Sequence, residues 1–259
     1  MAMFDYIEDL EKAGCEEIVL IRVINTARFS YIGGFDIEAW IEVEEEESKK
    51  KLEKLVKEIE KKGVKAKFVH PIPVGDPVYE IVEHAKKENV SLIMVASRGR
   101  SKLKEILLGS VSEGIIRNAD RPVLLLRRKD WSKKDPETIF KKIVYAHDLS
   151  DHSAKVVEYV KAAAIVGGRE VIILHVKENE EDLSPLEEAK NELKKAGINV
   201  KILIEEGTPH KVILKVAEKE NATMIAMASR GLGFVEGLIL GSTTDVVTRR
   251  SKIPVLVHK

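Results

Sequence analysis

Two stretches of the sequence repeat one spacing of small residues, and neither contains an obvious catalytic acid, base or nucleophile. In each, an alanine is followed three residues later by a glycine, and ten residues after that by a glycine–serine pair. The positions are Ala96, Gly99, Gly109 and Ser110 in the first stretch, and Ala228, Gly231, Gly241 and Ser242 in the second. Glycine allows a close approach of the backbone, and the amides at a helix N-terminus bind anions. The pattern is therefore compatible with a cradle for phosphate.

The same serines have a structural interpretation, because a serine hydroxyl also caps helices. Ser110 and Glu113 have the spacing of a capping box, and Ser242 and Asp245 imitate one. In that case the hydroxyl only completes the helix and binds no ligand. The residue types alone leave the two interpretations open.

Other kinds of chemistry find less support in the sequence. His147 and His152 lie five residues apart, but the single cysteine, Cys15, provides no cysteine pair to complete a zinc site. The apolar strand around His175 predicts a buried histidine with satisfied hydrogen bonds. The segment GSVSEG departs from the G-x-S-x-G elbow of hydrolases, and no G-K-[ST] Walker sequence occurs. We therefore expect no metal site and no catalytic residues.

The two stretches belong to a tandem repeat. Four punctuating residues recur at an offset of 132 in sequence number: the pairs are Gly75 and Gly207, Gly99 and Gly231, Gly109 and Gly241, and Pro122 and Pro254. A constant offset over nearly fifty positions is typical of a duplication. We predict a first repeat over residues 1–130, a polar linker over 131–140 and a second repeat over 141–259.

Short β-rich segments alternate with helical ones in both repeats. The predicted strands are 16–24, 65–72, 91–97 and 122–127 in the first repeat, and 141–147, 170–176, 200–205, 223–229 and 254–258 in the second. Their nearly continuous apolar residues are typical of parallel strands buried on both faces. Such alternation predicts right-handed βαβ crossovers and an open, doubly wound α/β sheet. These sheets bind ligands beyond the carboxyl ends of their strands, where the glycine loops lie.

The composition is that of a cytoplasmic protein. The 43 basic and 43 acidic side chains balance, which gives no general attraction to nucleic acid or to an anionic membrane. No apolar run reaches the roughly 18 residues of a membrane span, and a single cysteine fits a reducing compartment. Abundant Lys and Glu without any glutamine are typical of proteins from thermophiles. We therefore expect a cytoplasmic protein that binds neither nucleic acid nor membrane.

The loop sequence A-x-x-G-x9-G-[ST], placed after the fourth strand and before the last helix, resembles the nucleotide loop of the universal stress protein family. The resemblance covers nearly the whole chain, as two tandem repeats of an archaeal-like form. Segments such as EVIILHV and IPVLV contribute to it. It implies an adenine-nucleotide-hydrolase-like, Rossmann-like domain in each repeat, with a parallel five-stranded sheet of order 3-2-1-4-5 in the second. It also implies that the second repeat binds an adenine nucleotide, ATP or AMP, accompanied by Mg²⁺. The implied site residues are Asp148, Val176, Ala228, Arg230, Gly231, Gly241, Ser242 and Thr243.

Two substitutions in the family pattern bear on this site. Ala96 and Ala228 stand where the ATP-binding members have glycine, and Ala146 stands where the family has proline. Alanine disfavours a positive φ, which favours a tighter or closed loop. Asp148 also has a second interpretation, as a cap of the helix that begins near Ser150.

A larger departure is that the first repeat lacks the strand that carries the aspartate. Val23 and Val176 end equivalent strands 153 residues apart, so the counterpart of Asp148 would fall before residue 1. This strand is central in a 3-2-1-4-5 sheet, so its two neighbours lose their backbone partners when it is missing. The gap must be filled by direct pairing of these neighbours, by a strand from another chain, or by residues outside this sequence. We expect a degenerate site in the first repeat, with the residues Val23, Arg98, Gly99, Gly109, Ser110 and Val111.

The resemblance implies a stress-response protein whose bound ATP or AMP regulates contacts with a protein partner, without catalysis or with slow ATP hydrolysis at most. Antiparallel pairing of the last strands, 122–127 and 254–258, would make the chain an internal pseudo-dimer, and exchange of a strand would make a homodimer. One alternative is a scaffold that binds no nucleotide, as in family members without the ATP motif. A nucleotide-using enzyme, such as an adenylyl transferase, would need an H-x-G-H or S-G-G-x-D loop, and the sequence contains neither.

Overall fold

The computed structural model describes residues 6–28, 36–97, 108–127, 138–177, 180–230 and 240–259. The strands are β1 (Glu17–Leu20), β2 (Lys65–Phe68), β3 (Ile93–Ala96), β4 (Val123–Leu126), β5 (Lys142–Ala146), β6 (Glu170–Lys177), β7 (Asn199–Glu206), β8 (Met224–Ala228) and β9 (Val255–His258). The helices are α1 (Ile7–Lys12), α2 (Ile37–Glu60), α3 (Pro77–Lys87), α4 (Ser110–Asn118), α5 (Asp151–Ala154), α6 (Val157–Val166), α7 (Ser184–Lys195), α8 (Pro209–Lys219) and α9 (Ser242–Arg250). The predicted α/β fold class is confirmed. None of these helices combines the length and the apolar character that crossing a membrane requires.

The chain divides into two compact units, Met1–Ser91 and Leu92–Lys259. In the first unit, β1 and β2 form a parallel pair. The long helix α2 contributes Leu52 to a small core with Ile24 and Ile72. The first unit therefore has a core of its own around a two-stranded sheet.

The second unit contains a seven-stranded sheet in the order β3-β4-β9-β8-β5-β6-β7. Neighbouring strands are parallel except for β4 and β9. Numbered within the second repeat, its five strands lie in the order 3-2-1-4-5, which is the order that the resemblance implies. β5 is central in this repeat, between β6 and β8. Its residues Ile143, Val144 and Tyr145 are fully buried, as expected for a strand that is covered on both faces.

Strands β4 and β9 join the two repeats by antiparallel pairing, with Leu124 opposite Leu256. Helices α4 and α9 are linked by four charged residues, which we call the charge cluster: Glu113, Arg117, Asp245 and Arg249. Arg117 Nη2 lies 2.6 Å from Asp245 Oδ1, and Arg249 pairs with Glu113. Because each residue has its equivalent at the 132-residue offset, the cluster is symmetric between the repeats.

Strands β1 and β3 of the first repeat each have one partner in the described part of the chain. β1 pairs with β2, and β3 pairs with β4. The equivalent of β3 in the second repeat is β8, which has β9 on one side and β5 on the other. The described residues of the first repeat therefore contain no counterpart of β5 beside β3.

The predicted strands all occur, and their bounds differ most in the first repeat. The strand predicted over 16–24 ends at Leu20, after which a single bridge joins Ile24 to Val74. A strand extends only as far as a neighbour offers backbone partners, and β1 has one neighbour among the described residues. Most of the linker predicted over 131–140 lies outside the described residues, and the repeat boundaries stay a prediction.

Candidate functional site

A cavity of about 310 Å³ lies at the carboxyl ends of β5, β6 and β8. Its lining residues are Ala146, His147, Asp148, Ser153, Leu174, His175, Val176, Glu181, Pro209, Ile213, Met227, Ala228, Arg230, Gly241, Ser242, Thr243 and Thr244. The cavity is at the edge of the sheet where open α/β folds bind ligands. Its volume is at the lower end of the range for small-molecule sites, about 300–1,000 Å³.

The N-terminus of α9 forms one side of the cavity and presents backbone amides without acceptors. Gly241 is the N-cap, and no side chain caps the helix. The N–H groups of Ser242, Thr243 and Thr244 donate to no described residue, whereas the next amide, of Asp245, bonds to Gly241 O at 2.9 Å. These amides and the helix dipole give this side of the cavity a positive potential.

The start of α9 is tied closely to the end of β8. Thr244 Oγ1 donates a hydrogen bond to Ala228 O at 2.9 Å. The N–H of Gly241 donates to Ser229 O at 2.8 Å. A Cβ on Gly241 would lie 3.2 Å from that same oxygen, which is tighter than an ordinary contact. Glycine therefore allows the close approach that positions the helix start.

The capping boxes that the sequence suggests are not formed. Helices α4 and α9 both follow a glycine N-cap and have no side-chain cap. The carboxylates of Glu113 and Asp245 bind arginines of the charge cluster instead. Ser110 and Ser242 are each the first residue of their helix, and Ser242 lines the cavity.

Asp148 follows the central strand and is connected to the helix start after it. Its Oδ1 accepts hydrogen bonds from the N–H of Ser150 at 3.2 Å and from the Ser150 hydroxyl at 2.6 Å. The Ser150 hydroxyl oxygen accepts from the N–H of Ser153 at 3.1 Å and so caps α5. The cap is therefore Ser150, and Asp148 orients it while lining the cavity.

His147 precedes Asp148 and is buried and neutral. It is 2% exposed, and burial lowers the pKa of its imidazole to about 4. Its Nδ1 accepts a hydrogen bond from the N–H of Leu149 at 3.0 Å. The proton of the neutral ring is therefore on Nε2, which has no partner among the described residues. The ring thus contributes a fixed, uncharged wall to the cavity.

His175 of β6 connects the central strand to the loop after β6. Its Nδ1 lies 2.9 Å from His147 O, and its Nε2 lies 2.8 Å from Glu181 Oε2. Because the side chain is 3% exposed and both ring nitrogens are paired, the prediction of a buried, satisfied histidine is confirmed.

Sequence reasoning did not identify Glu181. Four acidic residues occur between positions 178 and 182, and nothing in their order distinguishes the one that reaches the cavity. Pro209, which also lines the cavity, could have been found from the sequence. A glycine two residues before a proline marks a helix start in both repeats.

Seven of the eight residues predicted for the second repeat line this one cavity. They are Asp148, Val176, Ala228, Arg230, Gly241, Ser242 and Thr243. The eighth, Gly231, lies outside the described residues. Burial, followed by the charges of Arg230 and Arg117, lowers the pKa of Lys259 to about 8.

Alanine is compatible with the backbone at position 228. Ala228 ends β8 and is not among the described residues with positive φ. The conformation that alanine disfavours is therefore not required here. The cavity is present beside Ala228, so the substitution does not close the site at this residue.

The residues predicted for the first repeat are divided between the compact units. Val23 belongs to the first unit. Arg98 and Gly99 lie outside the described residues. The residues in the second unit are Gly109, Ser110 and Val111 at the start of α4.

Residues 2–127 and residues 139–259 each match the profile of the Universal stress protein family. The chain belongs to the universal stress protein family. Because the profile matches twice, this universal stress protein has the tandem organisation that the sequence predicts.

Known relatives include proteins of archaea and bacteria. The crystal structure of a universal stress protein from Archaeoglobus fulgidus DSM 4304 is 39% identical, with a TM-score of 0.83, over 100% of this chain and 93% of that one. Universal stress protein MJ0577 of Methanocaldococcus jannaschii is 47% identical over 85 residues, 33% of this chain and 51% of the relative. Universal stress protein Slr1230 of Synechocystis is 26% identical over 177 residues, 67% of this chain and 59% of the relative. The chain thus spans between 51% and 59% of the length of these curated relatives.

Proposed function

We propose that the second repeat of this universal stress protein binds an adenine nucleotide, ATP or AMP, in the cavity at the ends of β5, β6 and β8. The observation that carries the proposal is the uncapped start of α9. There the amides of Ser242, Thr243 and Thr244 have no acceptor among the described residues. A phosphate group would accept from these amides and interact favourably with the helix dipole. Arg230 adds a positive charge to the same side.

The opposite side of the cavity suits a nucleoside. Leu174 and Val176 of β6 offer apolar surface to a purine. Asp148 lies at the end of the central strand, between the two sides, where its carboxylate would accept hydrogen bonds from ribose hydroxyls. Apolar walls with a few polar groups are typical of small-molecule sites. The similarity of the loop to that of ATP-binding family members supports an adenine nucleotide as the ligand.

We assign the bound nucleotide a regulatory role. A general base needs an unpaired acceptor near the substrate. Nδ1 of His147 is taken by Leu149, and both nitrogens of His175 are paired. Neither histidine thus offers a base. The carboxylate of Glu181 lies on the β6 side of the cavity, away from the phosphates at α9, so any ATP hydrolysis would be slow. The nucleotide state would instead control contacts with a protein partner.

Mg²⁺ would enter this site with the phosphates of ATP. Within the described ranges, no three His, Cys, Asp or Glu side chains are grouped as metal ligands. Mg²⁺ commonly keeps several waters and binds through substrate phosphates and one or two carboxylates. Two carboxylates line the cavity among the described residues, Asp148 and Glu181, and Asp148 is the one that follows the central strand.

The substitution S242D tests whether the start of α9 binds the phosphate groups. An aspartate at the first position of α9 interacts favourably with the helix dipole but repels a phosphate. We expect the affinity for ATP to fall by about tenfold or more. The Tm of the ligand-free protein should stay the same or rise. Isothermal titration calorimetry with ATP–Mg²⁺ and with AMP measures the affinity, and thermal unfolding measures the stability.

The matched control is S110D, because Ser110 holds the equivalent position of α4 in the first repeat. We expect S110D to leave the ATP affinity unchanged. Equal weakening by the two substitutions would argue against a site in the second repeat. A wild-type chain that binds neither ATP nor AMP at millimolar concentration would overturn the proposal and favour a scaffold without nucleotide.

A further inference from the structure

A chain of hydrogen bonds crosses the side of the cavity away from α9. Glu181 Oε2 lies 2.8 Å from Nε2 of His175, and Nδ1 of His175 lies 2.9 Å from the backbone oxygen of His147. The His175 ring is buried and so held in place by packing as well. The Glu181 side chain is 22% exposed and lines the cavity. A carboxylate is thus held in one orientation at the cavity wall.

The partners of His175 determine what Glu181 offers to a ligand. A carbonyl oxygen only accepts, so Nδ1 of His175 carries a proton. A second proton must lie between Nε2 and Oε2, because two bare acceptors at 2.8 Å would repel each other. Whether that proton rests on the imidazole or on the carboxyl group, Oε1 of Glu181 is an acceptor. No described residue donates to Oε1.

The order of the strands separates this acceptor from the phosphate side. β5 lies between β6, which leads into the loop of Glu181, and β8, which leads to Arg230. β6 and β8 are therefore two strand spacings apart, about 10 Å. Phosphate groups are attracted to α9 and repelled by the carboxylate. A nucleotide in the cavity would place its base on the side of Glu181, beside Leu174 and Val176.

We propose that Glu181 determines the base specificity of this site by accepting a hydrogen bond from the 6-amino group of adenine. The proposal rests on the nucleotide binding proposed above and adds a residue outside the glycine loops. An amino group at this position of the purine donates to a carboxylate, whereas a keto oxygen is repelled by it. His175 is a positioning residue, because it fixes the carboxylate before the ligand arrives and so reduces the entropy lost on binding.

Two nucleotides that differ in one group of the base test the proposal. ATP has the 6-amino group, and purine riboside 5′-triphosphate has a hydrogen in its place. We expect the wild-type chain to bind ATP about tenfold more tightly, as for a hydrogen bond to a charged group. In E181A we expect the two affinities to become nearly equal. The affinity of E181A for purine riboside triphosphate should stay close to the wild-type value, which reports an intact cavity.

Two further variants separate positioning from general effects of the loop. Glu180 is an exposed residue of the same loop that does not line the cavity, and E180A should keep the wild-type ratio of affinities. H175N keeps a donor for the His147 carbonyl but has no group that reaches Glu181. It should give an intermediate ratio, because the carboxylate is present but no longer held.

The outcomes distinguish this proposal from the one on which it rests. The ratio of the affinities for ATP and purine riboside triphosphate is the quantity that decides. If the wild type and E181A both bind ATP and have the same ratio, the role of Glu181 is overturned and nucleotide binding is left intact. Equal binding of both triphosphates by the wild type would have the same meaning. If the wild type binds neither triphosphate, both proposals are wrong.

Discussion

The end of β8 with α9 and the end of β3 with α4 are equivalent parts of the two repeats, and their local structures agree. Each helix follows a glycine N-cap that has no side-chain cap. In each first turn a hydroxyl ties the helix to the strand. Thr244 donates to Ala228 O at 2.9 Å, and Ser112 donates to Ala96 O at 3.2 Å. Similar local sequences therefore form a similar helix start twice.

The two regions differ in the strand that lies beside them. β8 pairs with β5, and all five of its residues are buried. β3 has β4 as its one partner among the described residues, and Ile93 alone of its four residues is buried. β5 brings His147 and Asp148 to the second helix start. Both repeats thus have an uncapped helix start, and in the second repeat the adjacent strand β5 adds further residues to the cavity wall.

The largest expected effect tests this comparison through packing. Ile225 of β8 and Ile93 of β3 are equivalent, and their exposures are 0% and 6%. Because β8 is paired on both sides, its surroundings collapse little into the void that I225A leaves, and the free energy of unfolding should fall by about 4 kcal/mol. I93A should cost about 2 kcal/mol, because an edge strand relaxes more easily around the lost atoms. Urea unfolding measures both, and equal losses would contradict the difference between the strands.

A smaller effect is expected from His147, which β5 contributes to the second repeat. Its folded-state pKa is lowered by burial to about 4, whereas a histidine in the unfolded chain titrates near 6.5. The unfolded chain therefore binds this proton first as the pH falls. The stabilisation is fully present above about pH 6.5 and is lost as the pH falls through 4, by about 3 kcal/mol in total.

Substitution of a single histidine identifies the source of this pH dependence. H147N removes the titrating group and keeps an acceptor for the N–H of Leu149, so it should flatten the stability curve between pH 4 and pH 6.5. H152N is the control, because His152 is an exposed histidine of α5. It should keep the wild-type curve. Acid sensitivity in H147N equal to that of the wild type would assign the effect to other groups.

The smallest expected effect concerns the charge cluster, where the two repeats contribute equally. A double-mutant cycle with R117Q and D245N should give a coupling energy of about 1 kcal/mol, because both side chains are partly buried. The pair of Lys252 and Glu218 is 76% exposed on both sides, and the same cycle should give about 0–0.5 kcal/mol. Thermal unfolding measures both cycles. Equal coupling energies would mean that the charge cluster stabilises the protein no more than an exposed ion pair does.

The strands and the repeat were predictable because their signals are local. The run predicted over 170–176 forms β6 from Glu170 to Lys177, since its apolar residues fit a strand buried on both faces. The constant offset of 132 identified β3 and β8 as equivalents without any structure. The bounds of β1 were less predictable, because its length depends on a neighbouring strand rather than on its own residues.

The candidate site was predictable where a motif marks it. Gly241 and Ser242 follow from the loop spacing, and Thr243 and Asp148 follow from the resemblance. Glu181 was not predictable, because its pairing with His175 joins a loop to a strand end in three dimensions. The capping interpretation of the helix starts was wrong for a similar reason, because the carboxylates of Glu113 and Asp245 bind arginines of the opposite repeat.

The sequence by itself determined the tandem repeat, the α/β class and the two glycine loops, since apolar patterning and glycine spacing act on neighbouring residues. Tertiary structure alone decided which of the two helix starts has a central strand beside it and which acidic side chain reaches the cavity. Both depend on contacts between residues far apart in the chain. Such contacts follow from the order of the strands in the sheet, which brings β6, β5 and β8 together around one cavity.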